Sequence, residues 1–301
     1  MAGGHCVVAA AGNLGRNGYA SILSPGDSPY AITVGAMKTM GTAARGDDLI
    51  ASYSSKGPAW PDMTLKPDVV APGNQVTSLL SNNSTLARMY PQNIVPVSSY
   101  STYKNGKSAY FTLSGTSMAT PMVSGAAALM IQQDPTLTPD TVKARLMKTA
   151  TKDFPATSVA VDPATGTAYT SQYDVFTIGA GYLDVMGALS SADVATAGTL
   201  SPTVFYDPAS GNAYIVDDST QVWVSSQAFR TIAIWGTNAV WSTGSAVQGT
   251  IAIWGTRSRT VSGTIAIWGS RRAWSQSGVW GTTAVWGTGN DWGTLLECLG
   301  E

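Results

Sequence analysis

A serine flanked by small residues marks the chemistry in this sequence. Ser114-Gly-Thr-Ser117-Met-Ala-Thr-Pro121 opens an uncharged stretch, small and apolar through residue 131, the pattern of a helix buried inside a domain. A serine in the first turn of such a helix lies among backbone N–H groups without intrahelical partners, at the positive end of the helix dipole. An oxyanion formed when its hydroxyl attacks a carbonyl would be stabilised there. Gly115 would let a substrate backbone come close. Pro121 falls near enough to the helix start that its missing N–H should cost little. Taken singly, each feature also fits a serine that merely caps a helix.

Two other polar residues bear on this serine. Asn13 follows the apolar run Cys6–Ala11 and Gly12, so its carboxamide stands at the end of a strand, where asparagine also closes turns for purely local reasons. His5 is the one histidine of the chain and therefore the one candidate general base of its type. If residues 5–12 are extended, it lies about 23 Å from Gly12 at ~3.3 Å per residue. Catalytic groups of an open parallel sheet gather at the carboxyl ends of its strands. His5 is thus expected at the wrong end, out of reach of Ser117.

The elements that must hold these residues can be read from periodicity. Residues 5–11 form a strand apolar on both faces, as a parallel sheet covered by helices demands. Ala31–Gly35, Ile50–Tyr53 and Asp68–Val70 read as further short strands. Residues 74–110 are polar and turn-rich, a long surface excursion with one hairpin. Thr138-Pro139-Asp140 starts a helix, with Thr138 as its N-cap and an apolar stripe through Val142, Leu146, Met147 and Ala150. Asp184 caps a last short helix. Strands alternating with helices make the first ~190 residues α/β with a parallel sheet. Asp47-Asp48 reads as a solvated turn.

In that order the motifs resemble those of the subtilisin-like serine proteases. Val8-Ala-Ala-Ala-Gly-Asn13, Pro29-Tyr-Ala-Ile-Thr-Val-Gly-Ala36, Ala51-Ser-Tyr-Ser-Ser-Lys-Gly-Pro58, Lys66-Pro-Asp-Val-Val-Ala-Pro-Gly73, the Ser117 motif and Gly179-Ala-Gly-Tyr-Leu-Asp-Val185 carry the resemblance, which covers roughly residues 5–190. Met122 departs from it, standing where the family most often has histidine; only packing should feel the change. The resemblance implies a serine endopeptidase that works through an acyl-enzyme on Ser117, with Asn13 in the oxyanion hole. Ala10, Ala11, Gly12 and Gly115 would line the substrate site. The family's histidine and aspartate motifs, expected upstream of the Asn13 strand, are absent, so the chain reads as the carboxyl-terminal portion of the catalytic domain and is expected to be inactive alone. Losing the upstream strands would leave strand 5–11 as an exposed apolar edge. Calcium often accompanies the family, but no acidic loop with suitable ligand spacing occurs here, so no cofactor is expected. The family also implies a polypeptide substrate and secretion.

Composition sets outer limits. Seventeen basic and eighteen acidic side chains leave a formal net charge of −1, with no Lys/Arg cluster suited to a run of phosphates, which argues against nucleic acid. No apolar run reaches the ~20 residues of a membrane helix. The two cysteines, Cys6 and Cys298, stand nearly a chain length apart and read as free thiols. Domains are expected at 1–195 (partial peptidase), 196–230 (linker) and 231–301 (Trp-Gly repeat). In the last, Thr231-Ile-Ala-Ile-Trp-Gly-Thr237 recurs at 250–256, and from Trp268 to Trp292 tryptophan falls at every sixth position. An even period keeps the indoles on one face of an extended chain, the mark of a β-type repeat. A second reading therefore stands beside the enzyme: a non-catalytic scaffold or adhesion protein that binds a partner through this tail.

Overall fold

Alternating burial on a pleated strand needs one wet face, and the central strands here have none. The computed structural model describes residues 4–81, 83–102, 106–162, 164–195, 198–207, 212–216, 247–248 and 259–262. Its main sheet comprises β1 (Val8–Ala10), β2 (Ile32–Lys38), β3 (Leu49–Ile50) and β4 (Val69–Pro72). β2 lies parallel to both β1 and β4, with Val8 opposite Ile32 and Val34 opposite Val69, and pairs antiparallel with β3. Six consecutive residues of β2 are buried, as expected of a strand covered on both faces. Ile50 to Tyr53, expected as a strand, pairs only at Leu49–Ile50 and then turns, with Ser54 N–H bonded to Ala51 O.

Between β4 and the nucleophile motif lies the excursion: β5 (Val76–Leu79), α1 (Thr85–Met89) and β6 (Tyr110–Leu113), with β5 and β6 forming an antiparallel hairpin. Helix α2 (Thr116–Gln133) then packs across β1, β2 and β4. Helix α3 (Pro139–Thr149) starts as its sequence predicts, the Thr138 hydroxyl accepting from Thr141 N–H. A second hairpin, β7 (Thr157–Val161) with β8 (Ala168–Gln172), and a short α4 (Val175–Ile178) capped by Asp174 were not legible from periodicity. Helix α5 (Val185–Ser190) is capped by Asp184, as expected. Val34, Met37, Val70, Val123, Met130 and Leu146 form the shared core, each contributing about 1.5–3 kcal/mol by burial.

Two expectations about α2 need correction. It is not buried all round: Met122, Leu129 and Ile131 stand 37–47% exposed while Val123, Ala126 and Met130 are buried. Pro121 is inside the helix rather than in its spare-donor turn, so the Ser117 carbonyl loses the N–H four residues on. β1 pairs with β2 and with no second strand among the described residues, and Val7 before it is 53% exposed. Asp48 also departs from expectation. It is 4% exposed, and burial pushes its carboxyl above the usual range, against a hydrogen bond from Tyr182.

The amino ends of β2 and β4 hold a buried charged cluster. Lys66 Nζ donates to Asp68 Oδ2 at 2.7 Å, and Lys143 Nζ lies 3.4 Å from Asp68 Oδ1. Lys143 also donates to the Pro29 and Ala31 carbonyls and to Ser201 Oγ, which in turn donates to Asp68. Burial raises the Asp68 carboxyl, and the two ammonium groups more than offset this, so it stays below its ordinary value. Burial pushes Lys143 down to about 7 despite Asp68. Thr199 and Pro202 are tied to Asp140 and Leu65, so packing on this body continues past residue 195.

Beyond it, β9 (Thr203–Asp207), β10 (Asn212–Val216), β11 (Val247–Gln248) and β12 (Arg259–Ser262) form a separate four-stranded sheet. The expected Trp-Gly repeat and Cys298 lie otherwise outside the described residues.

Candidate active site

Ser117 is placed by the turn that ends one strand and the glycine that starts one helix. After β4, Gly73 O accepts from Gly115 N–H at 2.8 Å, which seats the start of α2 at the carboxyl end of the sheet. Gly115 has φ +150°, and an added Cβ would stand 3.3 Å from Asn13 Nδ2; the position suits glycine on both counts. Ser117 is the second residue of α2 and is exposed, so its own N–H belongs to the unpartnered first turn.

Asn13 reaches the same place from the end of β1. Its Oδ1 accepts from Thr116 N–H at 2.9 Å and from Thr116 Oγ1 at 3.1 Å. The Thr116 hydroxyl oxygen accepts in turn from Gly12 N–H at 3.1 Å. With Oδ1 committed twice, the Nδ2 donors have no hydrogen-bond partner among the described residues and lie beside Gly115. An amide whose oxygen is clamped cannot turn over, so its N–H groups remain available to a nearby negative charge. Sequence reasoning missed Thr116 as the clamp. Its neighbour Ser117 drew the chemical reading, and nothing in a linear motif shows that its side chain points back at Asn13.

The remaining expected residues fall where the strands put them. Ala10 ends β1, and Ala11 and Gly12 are buried just beyond it. Gly12 has φ +106°, and a Cβ there would come within 2.8 Å of Leu23 Cγ and 2.9 Å of Ser55 Oγ. Leu23 N–H bonds Ala11 O, and Ser55 Oγ accepts from Leu14 N–H, so this wall is braced from behind. Arg16, next along, donates to Ser52 and Asp162 and stacks over Tyr169, tying the β7–β8 hairpin to the segment after Asn13.

His5 is exposed ahead of β1, and Gly4 before it lies against Pro139, at the pole of the buried lysines. It is not brought to Ser117. The two groups that could stabilise an oxyanion are therefore together, and the chain's one histidine is not with them.

A parallel sheet carrying a serine at a helix start, with a clamped carboxamide at the neighbouring strand end, defines an α/β protein. The chain belongs to the subtilase family, whose pattern it matches over residues 1–181. It is 45% identical over 148 residues to Serine protease AprX of Bacillus subtilis, an alignment covering 49% of this chain and 30% of that protein. Subtilisin DY of Bacillus licheniformis is 36% identical over 151 residues, covering 50% of this chain and 41% of its own. An extracellular serine proteinase of a Thermus species is 38% identical over 148 residues, covering 49% of this chain and 27% of that one. The chain thus spans less than half the length of each of these relatives.

Proposed function

We propose that this chain is the nucleophile-bearing part of a serine endopeptidase. Ser117 Oγ attacks the carbonyl of a peptide bond, and the resulting oxyanion is held by Ser117 N–H and Asn13 Nδ2. Collapse of this adduct expels the amine and leaves an acyl-enzyme on Ser117, which water then hydrolyses. Ala10, Ala11 and Gly12 flank the side chain that precedes the scissile bond, and Gly115 gives the substrate backbone room. The observation that carries this reading is the double clamp of Thr116 on Asn13 Oδ1, which presents the amide nitrogen beside the nucleophile turn.

Attack needs a general base within about 3 Å of the hydroxyl, or one water away. His5 cannot serve, so the histidine and its orienting aspartate come from polypeptide outside these 301 residues, and the chain alone is inactive. The exposed side of α2 and the outer edge of β1 are the surfaces such a segment would cover. Secretion belongs to the same reading, supported by a relative named as extracellular; among the described residues no helix is long and apolar enough to cross a membrane.

A serine-directed fluorophosphonate tests both parts. The isolated chain should not be labelled stoichiometrically, and stoichiometric label at Ser117 would show that the base is not missing. Supplied with the histidine-bearing segment, Ser117 should label and Ser117→Ala should not. Failure to label in that complex would leave the scaffold reading, in which the tail carries the function.

A further inference from the structure

The excursion between Gly73 and Ser114 is rooted in the nucleophile turn itself. Gly115 N–H bonds Gly73 O, and Gln75 N–H bonds Ser114 Oγ at 2.9 Å. From this root the β5–β6 hairpin projects with three of four β5 residues exposed. Leu80 N–H bonds Ala109 O, and Val76 faces Leu113. By the alternation of an antiparallel ladder, Thr77 and Leu79 therefore turn their N–H and C=O groups away from β6. β5 has no other strand neighbour among the described residues. Leu79 on this bare edge is 77% exposed, and Leu86 and Met89 on α1 are 45% and 58% exposed, the kind of apolar edge that proteins usually blunt.

Charge separates this arm from the rest of the chain. Residues 74–113 contain Arg88, Lys104 and Lys107 and no aspartate or glutamate, in a chain whose net charge is −1. Arg88 and Lys107 are exposed, and neither has a carboxylate partner among the described residues. The arm also springs from β4, across β2 from β1 and its Ala10–Gly12 wall. If that wall holds the residue before the scissile bond, the chain after the bond leaves toward the arm.

We propose that the arm 74–113 binds an extended, acidic stretch of the polypeptide substrate on the leaving-group side of the scissile bond. The reading rests on the peptidase assignment above. The β5 edge supplies backbone pairing, Leu79 an apolar contact, and Arg88 and Lys107 the preference for carboxylates.

The test uses the full chain with Ser117→Ala and two fluorescein-labelled peptides of equal length, differing only in glutamate against lysine. Fluorescence anisotropy should show the glutamate peptide binding about tenfold more tightly at low salt, with the gap closing as salt is added. Arg88→Glu with Lys107→Glu should reverse the preference. Leu79→Pro, which removes an outward N–H and spares the ladder bonds, should weaken both peptides without lowering the melting temperature of the domain. Equal binding of the two peptides, or a charge reversal without effect, overturns the proposal. So does a dimer in sedimentation that Leu79→Pro dissolves, since a second copy would then be the occupant. Fluorophosphonate labelling of Ser117, with the histidine-bearing segment present, is read in parallel. Preference lost with labelling intact removes the arm proposal alone. Labelling lost with preference intact removes the peptidase reading, and the leaving-group assignment with it.

Discussion

The two ends of the parallel sheet carry opposite kinds of polarity. At the carboxyl ends, Asn13, Thr116 and Ser117 are neutral and range from buried to exposed, and Asn13 and Thr116 are held by hydrogen bonds of 2.9–3.1 Å. At the amino ends, Lys66, Asp68 and Lys143 are charged types, at most 2% exposed, and shifted in pKa by burial and by one another. Shifted titrations often mark a functional site. Here they lie in a buried cluster away from the proposed chemistry, which sits among groups that do not titrate. On the proposed reading the chain's share of the chemistry is to position neutral donors, while the charged groups lie at the far pole.

That contrast can be broken at either pole. A large stability effect should come from Asp68→Asn, which leaves the buried Lys66 and Lys143 without their carboxylate; about 3–5 kcal/mol should be lost in denaturant melts. A loss under 1 kcal/mol would show the cluster to be incidental. Asn13→Ala takes the acceptor from the buried Thr116 N–H and hydroxyl, so it should cost about 1–3 kcal/mol in the melt. With the base supplied, it should lower peptide turnover by about 10²–10³, the measured loss for the corresponding donor in a subtilisin. An unaltered rate would take Asn13 out of the oxyanion site. Ser201→Ala removes the hydroxyl shared by Asp68 and Lys143 and should cost about 1–3 kcal/mol, measured in the same melts; no change would mean that the 199–203 segment is not part of the folded unit.

The same contrast can be followed through pH. Burial pushes Lys143 and Lys152 down to about 7 from an ordinary 10.5. Between those values the unfolded chain binds more protons than the folded one, so stability should rise with pH across that window. Burial also raises Tyr19, Tyr173 and Tyr182 above their ordinary 10.0. Above about 10 the unfolded chain gives up those protons first, and stability should fall again. Melting temperature followed from pH 7 upward should climb and then turn over. A steady fall from pH 7 to 9 would mean that Lys143 keeps its proton in the folded core.

Local signals were the readable ones. Thr138, Asp184 and the small-residue run after Gly115 announce helix starts because capping and helix packing act over a few residues. The β7–β8 hairpin and α4 escaped because neither shows a strong period, and Asp48 was misplaced because two adjacent carboxylates look solvated until Tyr182 is seen beside one of them. The burial of α2 was overestimated for a related reason. Apolar composition shows what a helix can pack against but not whether a partner is there.

By itself the sequence determined the family, the α/β order of elements, the serine at a helix start and the presence of only one histidine, since each is written in residue types or short spacings. Only the tertiary structure decided that Thr116 clamps Asn13, that Ser201 closes a buried charge cluster, and that His5 lies at the opposite pole from Ser117. These joins link residues as far as 133 positions apart. A hydrogen bond reaches about 3 Å, and which distant groups come that close is set by how strands and helices stack, not by their order along the chain.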